Sequence, residues 1–161
     1  MDDDEIKDQL RRRFDFTDWP QPSEERVARS TERFAAVGAL LGGWRAQRVA
    51  EVPVPRATAA SRSVWGREER SDTLISVELI EAESSGQARE ILLDLLNEFE
   101  SPQVERQSQA VAGDVAFTVP GDTVALFAHA NVVALVRNAG REVVSVADFA
   151  RQLDRSLTAR P

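Results

Sequence analysis

The chain has 161 residues, with 27 Asp and Glu against 20 Lys and Arg and no cysteine. That length fits one domain with a core that needs no covalent staples, and the missing cysteine excludes disulfides, thiolate metal sites and a thiol nucleophile. A formal charge of -7 argues against a broad nucleic-acid surface, which needs clustered cations, and suits a basic partner better.

Lys7 is the single lysine beside the arginines, a bias expected of GC-rich coding rather than of dedicated anion recognition. The longest apolar run, residues 34–44 between Arg33 and Arg45, falls short of the roughly 18 to 20 residues of a membrane helix, so no transmembrane segment is expected. The acidic start Met1-Asp2-Asp3-Asp4-Glu5 is the reverse of a secretory signal's positive region. It points to a soluble cytoplasmic protein, or to one outside the cytoplasm if a leader precedes this sequence.

In chain order, residues 2–13 read as a short helix, with acids at its start, Arg11, Arg12 and Arg13 at its end, and a narrow stripe of Ile6, Leu10 and Phe14 that must dock to persist. A linker with Phe14, Phe16 and Trp19 follows, its Pro20 and Pro22 barring helix. Residues 1–22 are thus an N-terminal arm, and its three rings are candidate interface residues that pin it to the body or to another copy. Residues 23–161 read as a single domain.

Ser23 with Glu24 and Glu25 makes a helix start, and Val27, Phe34, Val37 and Leu41 share a face up to a glycine stop at Gly42-Gly43. Gly38 and Gly42, four apart, let another element approach that helix closely. A strand over 44–52 is followed by a loop over 56–63. A hairpin of 64–70 and 73–81 turns at Ser71-Asp72, with Ile75, Val77 and Leu79 on one face and Leu74, Ser76, Glu78 and Ile80 on the other. Ala88, Ile91, Leu92, Leu95, Leu96 and Phe99 set a helix over 85–99. A weak strand at 104–109 precedes strands at 114–119, 123–128 and 131–137, with a type II turn at Pro120-Gly121 and a tight hairpin at His129-Ala130. A final helix spans 145–157. The outcome is an α+β domain, a mainly antiparallel sheet with helices packed on one face. Strand, turn and helix recur as a plan at 74–99 and 131–157, which suggests a pseudo-repeat.

Candidate chemistry is sparse. His129 is the single histidine, so a two-histidine metal site cannot form within one chain, and no GxSxG elbow accompanies it. Acids at Glu68, Glu69 and Asp72 and at Glu78, Glu81 and Glu83 lack the spacing of a calcium loop. The glycines at 38, 42 and 43 end a predicted helix, whereas phosphates bind at helix starts. No metal or other cofactor is expected, and neither is nucleic acid.

Gly113-Asp114-Val115-Ala116-Phe117, Leu126-Phe127-Ala128-His129-Ala130-Asn131-Val132-Val133 and Asp148-Phe149-Ala150-Arg151-Gln152-Leu153-Asp154 resemble bacterial α+β domains of unknown function, often in secreted or lipid-anchored proteins. The resemblance covers about half the chain; it implies a fold and carries no catalytic residue. Two functions are expected from these residues. The first is a non-catalytic binding or interaction domain, meeting a protein partner or its own copy through a sheet face where Leu74 and Ile80 adjoin Ser76 and Glu78. The alternative is a small α+β enzyme or ligand-binding protein, whose pocket between helices and sheet uses His129 or Glu78.

Overall fold

The computed structural model describes residues 2–22, 26–27, 30–34, 36–67, 69–98, 103–107, 110 and 112–158. These form helices α1 (Asp3–Arg13), α2 (Ser30–Phe34), α3 (Ser85–Glu98) and α4 (Ala147–Thr158). They also form strands β1 (Leu40–Leu41), β2 (Trp44–Glu51), β3 (Ala57–Arg67), β4 (Arg70–Ala82), β5 (Glu105–Arg106), β6 (Val115–Thr118), β7 (Val124–His129) and β8 (Val132–Asn138). All eight strands lie in one antiparallel sheet of order β1-β2-β3-β4-β8-β7-β6-β5. The chain has the α+β architecture that its pattern implies, and no described helix is long and apolar enough to cross a membrane.

The sheet has two buried faces. Ile75, Val77 and Leu79 of β4, Val132, Ala134 and Val136 of β8, and Trp65 of β3 point into a first core. There Phe149 of α4 stands edge-on to Trp44 and Trp65, with centroids 5.8 and 5.5 Å away. Ile80, Ala82, Val133, Leu135, Leu126 and Phe117 point the other way into a second core under Ala88, Ile91, Leu92, Leu95 and Leu96 of α3. The expected single helical layer is therefore two, because a central pair of strands apolar on both faces cannot be sheltered from one side. This also removes a two-fold repeat. An axis normal to the sheet relates antiparallel neighbours without exchanging faces, whereas the helices after β4 and β8 pack on opposite faces.

Three local expectations are corrected. The helix expected over 23–41 is confined, among the described residues, to Ser30–Phe34; Ser23, Glu24 and Glu25 lie outside the described residues. Leu41 pairs with Trp44, and Gly42 and Gly43 at φ 53° and 85° form the two-residue hairpin between them. Positive φ at two consecutive residues is what a type I′ hairpin requires, and the same glycines would serve a helix end, so sequence alone does not separate the two. An added Cβ at Gly42 would overlap the side chain of Gln152 on α4, so a close approach does occur there, by α4 onto the hairpin.

The loop expected over 56–63 lies largely in β3, paired on both sides by β2 and β4. Its Ser61 and Ser63 are buried, and small side chains at those positions give α2 room above the sheet. The turn expected at Ser71-Asp72 is strand as well, because the backbones of Asp72 and Leu74 are held by Glu142 and Ala139. The turn at Pro120-Gly121 has the expected form, with Gly121 at φ 83°, ψ 0° and Asp122 N–H donating to Val119 O.

The arm is part of the second core. Phe14 packs edge-on to Phe117 at 5.1 Å, Trp19 lies 5.4 Å from the same ring, and Phe16 stacks against Trp19 at 4.7 Å. Trp19 Nε1–H donates to Phe14 O, and Arg106 reaches the carbonyls of Phe14, Asp15 and Asp18, which satisfies acceptors left open at the end of α1. Lys7 and Arg11 bind Glu90 on α3, and Lys7 also pairs with Asp94. Truncating the buried indole in Trp19→Ala should lower unfolding free energy by about 3 to 5 kcal/mol. Urea denaturation measures it, and a loss below about 1 kcal/mol would mean that the arm is not part of the cooperative core.

Candidate functional site

The sequence candidates fall in three separate places. His129 ends β7 on the first-core face, where its Nδ1 lies 2.8 Å from Asp154 Oδ1 on α4, at ion-pair distance without the alignment of a hydrogen bond. Beside it, the hairpin loop holds a dense polar knot. Asn131 is buried; it accepts from Val27 N–H and donates to the carbonyls of Val27 and Ala82. Asp114 accepts from Ala130 N–H, which supports Ala130 at φ 50°. Glu81 accepts from the amide and hydroxyl of Ser30, capping α2 from the neighbouring strand. These residues fasten Val27, α2 and the β7–β8 hairpin to the sheet, and no local pattern signals this because each bond spans many residues.

Phe14, Phe16 and Trp19 are packed against Phe117 and one another in the second core, with Phe14 and Trp19 buried. Nearby, Arg89 donates to Pro20 O; burial pushes its guanidinium below the usual arginine range, and the carboxylate of Asp114 opposes that shift. On α1, partial burial works against the charge of Arg11, but Glu90 and then Asp8 hold it above its ordinary value. Both arginines join the arm to the body.

Glu78 lies elsewhere, on the second-core face but beyond the cover of α3. Ladder registers place three rows along that face. Ala60, Ile80, Val133, Ala128 and Val115 form a row inside the core. The next row runs from Arg62 through Glu78 to Leu135, and the one after it from Arg48 through Val64 and Ser76 to Arg137. Leu74 lies one row further on. Val64, Leu74 and Ser76 are half-buried, while Arg48, Arg62 and Arg137 are exposed; Leu135, at the end of the first of these rows, lies in the core under α3, but among the described residues no helix packs over the β2, β3 and β4 part of the two rows. Glu78 Oε1 accepts from Arg62 Nε and Nη2 at 3.1 and 2.7 Å, and Arg137 Nη2 stands 3.6 Å from the same oxygen. The carboxylate side chain is 13% exposed against 55% and 44% for the two arginines, so the acid sits at the floor and the guanidinium groups stand above it.

A groove of about 850 Å³ runs between α2 and the β2–β3 connection, lined by residues 31–32, 51–55 and 57–61. Neither His129 nor Glu78 lines it, so the two polar groups proposed for a ligand pocket are brought neither together nor to this groove. Among the described residues no three His, Asp or Glu side chains converge as a metal site would require. Comparison with protein-family models, with curated proteins and with solved structures finds no match for this chain in any of the three.

The contrast between knot and open face is measurable. Asn131→Ala removes three buried hydrogen bonds and leaves the Val27 amide unsatisfied, and should cost about 3 kcal/mol or more. Glu78→Ala leaves its arginine partners solvated and should change stability by no more than about 1 kcal/mol. Urea denaturation of both variants checks the pair; equal losses would mean that Glu78 is a structural group like Asn131.

Proposed function

We propose that the protein is a non-catalytic binding domain whose contact surface is the uncovered half of the second-core sheet face. One observation carries this reading: Ile80, Val133, Leu135 and Ala128 lie in the core with α3, while Val64, Leu74 and Ser76 remain half-buried beside a fixed Arg62–Glu78–Arg137 cluster. Apolar side chains at the centre with charged groups around them are the composition of a protein-binding patch. The strands beneath are paired on both sides, so the surface is rigid, and a partner would not have to order it on binding. The same pairing leaves docking onto side chains, not strand addition, as the mode of contact on β3 and β4. The reading agrees with the scarcity of convergent polar groups elsewhere, since His129, Asn131, Asp114 and Glu81 are engaged in holding the hairpin and α2.

Selection of displayed random peptides on the immobilised protein tests this. Enriched peptides should lose affinity by about tenfold or more on Ser76→Glu, which places a bulky charge at the centre of the face. They should keep it on Arg151→Glu, at an exposed position of α4, which packs on the opposite face of the sheet. Failure to enrich any peptide, or enrichment of peptides indifferent to Ser76→Glu, would overturn the assignment.

A further inference from the structure

The exposed charge on this face is opposite in sign to that of the chain. The protein carries -7 overall, yet Arg48, Arg62 and Arg137 stand on two adjacent rows of one sheet face with Glu78 between them. Glu78 engages two donors of Arg62 through a single oxygen and draws Arg137 toward the same atom. A guanidinium has five donors in a rigid plane, and with side chains 55% and 44% exposed both groups present donors outward. The floor carboxylate thus fixes the two guanidinium groups in place without neutralising them and the neighbouring Arg48. Such preorganisation lowers the entropic cost of a bidentate contact.

We infer that the face binds an acidic segment of another protein, one that combines at least two carboxylates with an apolar residue; this rests on the binding reading above. Arg62 on β3 and Arg137 on β8 flank β4 on adjacent rows, and because both guanidinium groups reach the same Glu78 oxygen, at 2.7 and 3.6 Å, their facing nitrogens lie within about 6 Å of each other, close to the roughly 6 to 7 Å between alternate residues of an extended segment. Carboxylates on an extended segment can span that distance, while its apolar side chain meets Val64 and Leu74. The half-buried Val64 and Leu74 favour a peptide with an apolar side chain over a nucleic acid, whose bases would find no aromatic stacking platform among the half-buried residues. The net charge favours a basic partner for the chain as a whole; these rows reverse that preference locally, because an ion within a Debye length of about 8 to 10 Å responds to the nearest charges.

The test follows the arginine Nε–Hε resonances of the isotope-labelled full chain during titration with three probes. These are a short peptide of Glu, Asp and Leu, its Gln, Asn and Leu counterpart, and single-stranded oligo-dT of similar length. The acidic peptide should shift the Arg48, Arg62 and Arg137 signals, and added salt should weaken it. Arg62→Gln with Arg137→Gln should reduce its affinity by about tenfold or more. Equal binding of the amide peptide at the same signals would overturn the acidic class and leave the binding face standing. Preference for oligo-dT would replace a peptide with a nucleic acid, shifts that depend on protein concentration alone would assign the face to a second copy, and no response of these signals to any probe would overturn both proposals.

Discussion

The antiparallel pairing of β4 with β8 is the constraint on which the rest of the structure depends. It runs from Ile75 opposite Asn138 to Glu81 opposite Val132, joining a meander that begins near residue 40 to one that ends near residue 138. β8 is apolar on both sides through most of this ladder, while β4 turns Ile75, Val77 and Leu79 to one face and Ile80 to the other beside Val133 and Leu135 of β8. A strand pair of this kind at the centre of a sheet must be covered twice. The placement of α4 on one face and of α3 with the arm on the other follows from that need.

Coverage is uneven on the two faces. On the first, Phe149 wedges against Trp44 and Trp65 and carries α4 across to β2 and β3, while Val27 and Phe34 extend the same core. On the second, α3 and the rings of Phe14, Trp19 and Phe117 gather over the β4, β8, β7 and β6 ends of the rows. The arm is a strap over this half: its cations bind Glu90 and Asp94 on α3, and Arg106 holds its carbonyls. Among the described residues no helix or strap reaches Arg62 and Arg48, and there the face changes from apolar to charged. Glu78 marks the boundary, since its own strand carries Ile80 two residues on into the core.

The polar residues that most invite a chemical reading act as fasteners. Asn131 mimics a strand partner for Val27 by accepting from its amide and donating to its carbonyl, and Glu81 accepts from the amide and hydroxyl of Ser30 at the start of α2. Asp114 holds the loop residue Ala130 in a conformation that L-residues rarely adopt. His129 meets Asp154 across the gap between β7 and α4. Buried or half-buried polar groups of this sort are costly unless paired, and here the pairing spends them on joining segments that are distant in sequence.

Much of the fold was legible along the chain. Two-residue alternation in 74–80, the short apolar runs of the strands from 115 to 138, the 3.6-residue spacing of α3, the stripe of α4 and the Pro-Gly turn are local signals set by backbone geometry, and they determined the α+β class and both faces of β4. The ends of the elements were less secure where one residue type serves two structures: Gly42-Gly43 fits a helix stop and a type I′ hairpin alike, and the alanines and serines of β3 have little strand propensity until β2 and β4 flank them. Glu78 could be placed beside Leu74 and Ser76 from sequence, but its arginine partners Arg62 and Arg137 could not, because they come from β3 and β8 and meet only through ladder register. The sequence by itself determined periodicity, turn chemistry and the excess of acid. Tertiary structure decided which face each helix covers, which polar residues are fasteners, and where the arginines of an acidic chain stand together, since all three depend on contacts between segments that no local pattern encodes.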